Sequence, residues 1–395
     1  MTTKPHHHPA PDSPRRPCVV VAGHICLDVI PAFKQEGADS LGELLVPGKL
    51  VDVGPAVLAT GGAVANTGLA LHRLGVQTRL VGKLGQDAFG DAVCGLLRQQ
   101  GASLADHMIR DAESATSYSI VINPPGIDRV FLHCPGANDT FSADDLPAEA
   151  LDGADLLHFG YPPLMRRFYA DGGEALARLL AKARAAGLTT SLDLALPDPE
   201  SPAGQADWIE ILARVLPEVD VFCPSLEEIV FMLLHDSGLH IRKAVAAGSP
   251  LGGLEADDIQ AISARLIELG ATAVLLKLGR QGAFLHVTED RDRLAASGRC
   301  APTLSRWLGA TLHAACFTAE VAGTTGAGDC TIAGLLAALV RGDGPRDALR
   351  AAVATGSASV ERPDATSGIP DWSVLADRLA RGWPRDPALP FPHSV

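Results

Sequence analysis

The sequence predicts an α/β fold, a parallel central sheet flanked by helices on both faces. Three observations lead there. Short apolar runs that read as buried strands alternate along the chain with helical patterns. The 395 residues are 47% hydrophobic, enough for a sizeable core in one large domain or two ordinary ones. Aromatic residues make up only 5%, so that core must be built from Ala, Leu and Val.

In chain order, CVVVAG (18–23) is a short buried strand and GAVANTGLALHRLG (62–75) a helix. TRLVGKLG (78–85) is strand-like, and DAFGDAVCGLLRQQG (87–101) is a helix closed by glycine. DLLHFG (155–160), LTTSLDL (188–194), VDVFCP (219–224) and TAVLLKLG (272–279) read as strands. GGEALARLLAKARAAG (172–187) and DDIQAISARLIELG (257–270) are helices between them. Two stretches break the rhythm: GKLVDVGPAVLATGG (48–62) and ATSYSIVINPPGIDRVFLHCPGAN (115–138), the latter with a hairpin turn at PPGID. They read as a small antiparallel sheet inserted into the body, with segments about 30–60 and 112–138 placed to cover a site. The same lid is the expected face for a homodimer. Segments 235–257 and 289–309 carry no clear pattern. The expected organisation is a disordered tail over 1–17, rich in proline and polar residues, one domain over 18–382, and a C-terminal tail over 383–395.

Composition narrows the function. The formal net charge of −13 argues against a nucleic-acid surface or an anionic membrane as partner. The eight cysteines are scattered without a CxxC pair, which suits reduced thiols in a cytoplasmic protein rather than zinc or disulfides. No apolar stretch resembles a signal peptide or reaches the length of a membrane span.

The informative stretch is AGTTGAGDCTIAGLLAAL (322–339). Gly326, Ala327 and Gly328 leave the backbone bare where an apolar helix begins, so unpaired N–H groups stand at the positive end of its dipole. Such a place suits a phosphate. Asp329 beside it is an ordinary cap or a catalytic carboxylate, and the remaining motifs decide. Ligands of an open α/β sheet bind beyond the C-terminal ends of the strands. Asp28 in GHICLD, Gly61, Gly62 and Asn66 in GGAVAN, and Glu228 in CPSLEE all fall there. LGRQG, with Gly279 and Gly282, adds a tight turn against which a nucleotide can lie.

These segments resemble the ribokinase-like (PfkB) carbohydrate kinase family from about residue 18 to about 372. GGAVANTGLALHRLGVQTRLVGKLGQDAFGD is similar to its N-terminal signature and AGTTGAGDCTIAGLLAAL to its C-terminal one, with PGAND, CPSLEEI and LKLGRQGAFL in order between them. The resemblance implies the ribokinase-like fold and ATP- and Mg²⁺-dependent phosphorylation of a hydroxyl on a sugar or sugar-like small molecule. It implies Asp329 as the base, the N–H groups from Gly326 through Ala327 and Gly328 to Asp329 as an anion hole, and Asp28, Gly61, Gly62 and Asn66 as acceptor contacts. Ser225, Lys277, Gly279 and Gly282 fall at nucleotide positions, and Glu228 at that of a glutamate linked to magnesium through water.

The sequence departs from the family at several of these positions. Gly323 stands where relatives commonly carry an aspartate that helps bind a monovalent cation, so K⁺ dependence is expected to be small. Ser225 replaces an asparagine and Lys277 a threonine; the lysine either approaches a phosphate or points to solvent. Cys26 and Ala63 replace polar groups of ribokinase proper, which disfavours ribose. The rivals are a nucleoside kinase of the same fold, set back by a lid whose aromatics are few (Tyr118, Phe131), and a non-catalytic sugar or nucleotide sensor. A dinucleotide-dependent dehydrogenase lacks its GxGxxG after the first strand.

Overall fold

Strand β1 (Cys18–Gly23) is buried along its whole length, and its neighbours explain why. A computed structural model describes residues 15–33, 40–126, 130–233, 254–386 and 395. In it β1 pairs in parallel with β4 (Gln77–Val81) on one side and β9 (Leu156–Gly160) on the other. The parallel run continues through β10 (Thr189–Leu192), β11 (Val221–Phe222) and β12 (Ala273–Lys277). It ends in two antiparallel strands, β13 (Ala283–Val287) and β14 (Thr311–Ala314), so the eight-stranded sheet is mixed at one edge. The turn Gly279–Gln281 joins β12 to β13 as a hairpin, which requires the reversal of direction.

Successive residues of β1 point to opposite faces. Val19 and Val21 join one core with helices α1 (Ala63–Arg73) and α2 (Ala88–Gln100) and the later pair α7 (Ala327–Arg341) and α8 (Pro345–Ser359). Val20 and Ala22 join the other with α3 (Glu174–Ala185), α4 (Trp208–Val215), α5 (Leu226–Met232) and α6 (Ala256–Glu268). Helix α7 is buried almost all round and runs close along α8, where a Cβ on Gly334 would stand 2.6 Å from the Ala351 carbonyl oxygen.

A separate four-stranded sheet forms the lid, in the order β3 (Val53–Gly61), β2 (Cys26–Phe33), β7 (Tyr118–Ile122), β8 (Val130–Cys134). The expected lid segments supply three of its strands. The fourth, β2, starts at Cys26, and it pairs in parallel with β7, so this sheet too is mixed. Only Ile25 and His24 separate body strand β1 from lid strand β2. Asn138 of the PGAND segment clamps that junction, donating from Nδ2 to the Ile25 carbonyl (3.0 Å) and accepting from the Ile25 N–H at Oδ1 (3.3 Å). Outer strands β3 and β8 leave Val57, Leu58, Phe131 and Leu132 exposed.

Residues 1–14 of the expected N-terminal tail and 235–253 of the unpatterned stretch lie outside the described residues. Segment 289–309 is a chain of short helical turns that buries Trp307, whose indole donates to the Asp343 carbonyl at 2.9 Å. Packing continues beyond residue 382: the Trp383 ring stacks on Phe317 at 4.8 Å. All eight cysteines are unpaired. No helix among the described residues is long and apolar enough to cross a membrane.

Candidate active site

The turn before α7 places Gly326 at the N-cap in the left-handed region (φ 73°), with no side chain capping the first helical turn. Asp329, in that turn, is 3% exposed. Its Oδ2 accepts from Asn66 Nδ2 (3.0 Å) and from the Tyr161 hydroxyl (2.7 Å), and its Oδ1 from the Thr67 hydroxyl (3.4 Å). Burial raises its carboxyl above the ordinary range, while Lys277 and these three donors pull it back down. The carboxylate is thus held in a dry place by groups from α1 and the end of β9, not by its own helix. A local cap does not explain it.

Lys277 ends β12, and its ammonium donates to Asp193 Oδ1 at 2.6 Å. It is turned inward rather than to solvent, with a side chain 11% exposed. A Cβ on Gly328 would stand 3.6 Å from its Nζ, so the ammonium lies alongside the glycine turn. Burial alone would lower its pKa, yet Asp193, Glu228 and Asp329 together hold it above the ordinary lysine value. Asp193 follows β10 and is 1% exposed, and its second oxygen, Oδ2, has no hydrogen-bond partner among the described residues. Ser225 caps α5, and its own N–H donates to the Glu228 carboxylate at 2.7 Å in a capping box. Ser225 also bridges Lys277 in parallel, which brings Glu228 to the same end of the sheet.

The residues expected on the acceptor side gather where β1 of the body gives way to β2 of the smaller sheet. Asp28 lies on β2 opposite Ala59, and a Cβ on Gly61 would collide with its carboxylate. Cys26 Sγ is 3.4 Å from Asp28 Oδ1. Gly62 takes φ 90°, and a Cβ there would stand 2.5 Å from His24 Nδ1. The Gly62 carbonyl accepts from the Asn66 N–H at 2.9 Å, which links this corner to Asp329. The turn Gly279–Gly282 stands apart, and its two glycines differ. Gly279 has open space where a Cβ would be, whereas Gly282 packs on the Ala314 carbonyl and is needed for strand pairing. At Gly323 a Cβ would stand 2.8 Å from the Pro363 carbonyl oxygen, so the backbone itself disfavours a side chain there.

Four residues of the site were not foreseen: Tyr161, Asp193, His24 and His133. Asp193 had a signal, a carboxylate at the end of strand LTTSLDL. Tyr161 had none; it is the one described non-glycine residue with positive φ (66°), and that conformation turns its ring into the site.

The pfkB family carbohydrate kinase profile matches residues 18–372. The probable fructokinase-4 of Arabidopsis thaliana is 26% identical over 339 residues, covering 84% of this chain and 90% of its own. Among solved structures, Arabidopsis thaliana ribokinase complexed with ribose and ATP superimposes with a TM-score of 0.67 at 20% identity, over 92% of this chain and 99% of its own. The Methanocaldococcus jannaschii nucleoside kinase gives 0.62 at 18%, over 92% and 98%. The two structural likenesses show a shared ribokinase-like fold. With the profile spanning nearly the whole chain, the protein belongs to the pfkB family of carbohydrate kinases, phosphotransferases that act on an alcohol group.

Proposed function

We propose that the protein transfers the γ-phosphoryl group of ATP, with Mg²⁺, to a hydroxyl of a sugar or closely related alcohol. The observation that carries this reading is Asp329, buried and held by Asn66, Thr67 and Tyr161 at the start of a helix whose first turn is bare. The acceptor hydroxyl gives its proton to Asp329 as its oxygen attacks the γ-phosphorus. The bond from that phosphorus to the bridging oxygen breaks, and its electron pair leaves with ADP. The N–H groups of Gly326, Gly328 and Asp329 hold the transferring oxygens, joined by that of Ala327 once it leaves the Thr324 carbonyl to which it donates at 3.3 Å, and the Lys277 ammonium beside Gly328 adds a positive charge. Its pairing with Asp193 keeps that ammonium in place.

Asp28, Gly61, Gly62 and Asn66 form the acceptor wall. Gly279, open at its Cβ position, and Ser225 face the nucleotide, while Gly282 serves the hairpin. Glu228 fits a water-mediated metal contact, because the Ser225 N–H orients its carboxylate toward the end of the sheet where Lys277 stands. Bound magnesium would neutralise charge on the β- and γ-phosphates. Gly323, pressed against the Pro363 carbonyl, supports a reaction with little need for K⁺. The lid closes over the acceptor and excludes water. Its exposed Val57, Leu58, Phe131 and Leu132 support pairing of two copies through this sheet.

A screen of ATP consumption across hexoses, pentoses, sugar acids and nucleosides tests the reading. Acceptor-dependent ADP release with a neutral or acidic sugar is expected. Turnover of nucleosides alone would make the protein a nucleoside kinase. Nucleotide-dependent thermal stabilisation without turnover of any alcohol would make it a sensor.

A further inference from the structure

The chain between β14 and α7 starts against the Gly279 turn and ends in the Gly326 turn, the two places given to ATP above. At its start the Cys316 thiol stands 3.4 Å from the Gly279 carbonyl, to which it donates. Backbone that leaves a sheet in this way needs partners for its polar groups. Here they come from residues 383–386, which lie beyond the 18–372 matched by the family profile.

After helix α9 (Trp372–Ala380) the chain turns at Gly382 (φ 83°) and bridges Phe317 in antiparallel fashion through Arg385. The Thr318 N–H donates to the Pro384 carbonyl and the Asp386 N–H to the Cys316 carbonyl, both at 2.9 Å. The buried Trp383 indole donates to the Thr318 carbonyl at 2.8 Å, and its ring stacks on Phe317. Arg385 donates to the Ala315 carbonyl at 3.1 Å, with its guanidinium 4.5 Å from the centre of the Phe317 ring. Trp383 is held in turn by Arg378, whose guanidinium lies 3.3 Å from the centre of its ring. Glu361 accepts from both terminal nitrogens of Arg378, at 3.0 and 2.7 Å, and so fixes its plane. Side chains from α9 and the segment after it thus grip Ala315–Thr318, and Cys316 carries that grip to Gly279.

We propose that Trp383 and Arg385 are positioning residues for the nucleotide. By fixing Ala315–Thr318 they keep the Gly279 turn and the approach to Gly326 ordered before ATP arrives, so that binding does not have to order them. This rests on the kinase reading above, in which ATP lies at the Gly279 turn, and extends it to the segment after α9.

The test uses the full chain with Mg²⁺. Calorimetry gives the affinity for the non-hydrolysable analogue AMP-PNP, and steady-state assays give KM for ATP and for the sugar with the highest kcat/KM in the screen. Trp383→Ala is expected to weaken AMP-PNP binding and raise the ATP KM by about tenfold, with the sugar KM unchanged. Arg385→Ala should do the same by about threefold. Trp383→Phe, which keeps the ring on Phe317, should recover part of the loss. Unfolding temperatures show that each variant is folded; if Trp383→Ala is not, Arg385→Ala and Trp383→Phe carry the comparison. A lowered unfolding temperature with AMP-PNP affinity unchanged would reduce both residues to packing and overturn the inference. An equal loss for sugar and nucleotide would overturn it as well. Gly279→Asn separates this from a failure of the kinase reading, because it puts a side chain into open space on a left-handed backbone that asparagine tolerates. If Gly279→Asn alone weakens AMP-PNP, the inference falls and the kinase reading stands. If AMP-PNP does not bind, or no variant alters its binding, both fall. Binding weakened by the Trp383 and Arg385 variants without phosphorylation of any alcohol keeps the inference and sinks the kinase reading.

Discussion

The turn at Gly326–Asp329 and the seam between body and lid are neighbours built on opposite plans. At the turn the carboxylate is met on both oxygens by donors from separate elements, and the adjacent ammonium has its own buried partner. At the seam the ring nitrogens of buried His24 have no hydrogen-bond partner among the described residues, and the sheet above it exposes apolar side chains on both outer strands. Electrostatic catalysis is strongest where charges are fixed before the reaction, since nothing then has to reorganise at the transition state. Recognition of an acceptor instead benefits from groups that are completed only by the ligand, because an analogue lacking the matching hydroxyl leaves them unpaired. The difference teaches which substitutions should strike the chemical step and which should strike acceptor affinity.

The sharpest contrast is expected at Asp329. Asp329→Asn removes the base but keeps the shape, so kcat should fall by about a hundred to ten-thousand-fold while ATP still binds. A variant retaining more than about a tenth of wild-type kcat at saturating sugar would remove Asp329 from the mechanism. On the other side of the comparison, Asp28→Ala should raise the acceptor KM by about tenfold or more and leave the apparent affinity for ATP unchanged. An equal loss for both ligands would erase the division between turn and seam.

Tyr161 tests how the turn is held. A hydrogen bond to a charged group contributes about 1.5–3 kcal/mol, so Tyr161→Phe should lower kcat about tenfold near neutral pH. The sign of the pH effect follows from the site. Burial raises the Asp329 carboxyl, and Lys277, Tyr161, Asn66 and Thr67 lower it; Asp193 and Glu228 are the other charged groups at this end of the sheet. Losing one lowering group lets the carboxyl rise, so activity, which needs the ionised base, should be lost at a higher pH as the solution is acidified. An acid limb of the kcat profile that stays in place would reduce Tyr161 to packing. The smallest effect is expected from K⁺. Exchanging tetramethylammonium or Na⁺ for K⁺ at matched ionic strength should change turnover by less than about tenfold, on the order of 1.4 kcal/mol. A larger rise would show that backbone oxygens near Gly323 build a cation site without a side chain.

Much of this architecture was legible because buried strands and helices leave strong local patterns. CVVVAG and DLLHFG read as strands since both faces are covered, and the bare glycine turn before an apolar helix marked Asp329 without any knowledge of its partners. The illegible parts depend on long-range geometry. Nothing local distinguishes β13 as antiparallel, because direction is set by the Gly279–Gln281 hairpin and its pairing partners. Lys277 could not be assigned to phosphate or solvent until Asp193, eighty-four positions away, was seen to hold it. Tyr161 reaches Asp329 through a left-handed backbone that its sequence HFGYPP does not announce. His24, between β1 and β2, carries no local mark in GHICLD, and only the packing of both sheets reveals its burial.

The central claim is that Asp329 deprotonates an acceptor hydroxyl beside a phosphoryl group held at the turn. Its most direct measurement follows the product by ³¹P NMR and mass spectrometry, using ATP, Mg²⁺ and neutral sugars with the wild-type chain and with Asp329→Asn. A sugar phosphate formed one for one with ADP by the wild type, and absent with the variant although ATP is bound, is the predicted result. ADP released without a phosphorylated sugar, or the same sugar phosphate formed at comparable rates by the variant, would contradict it.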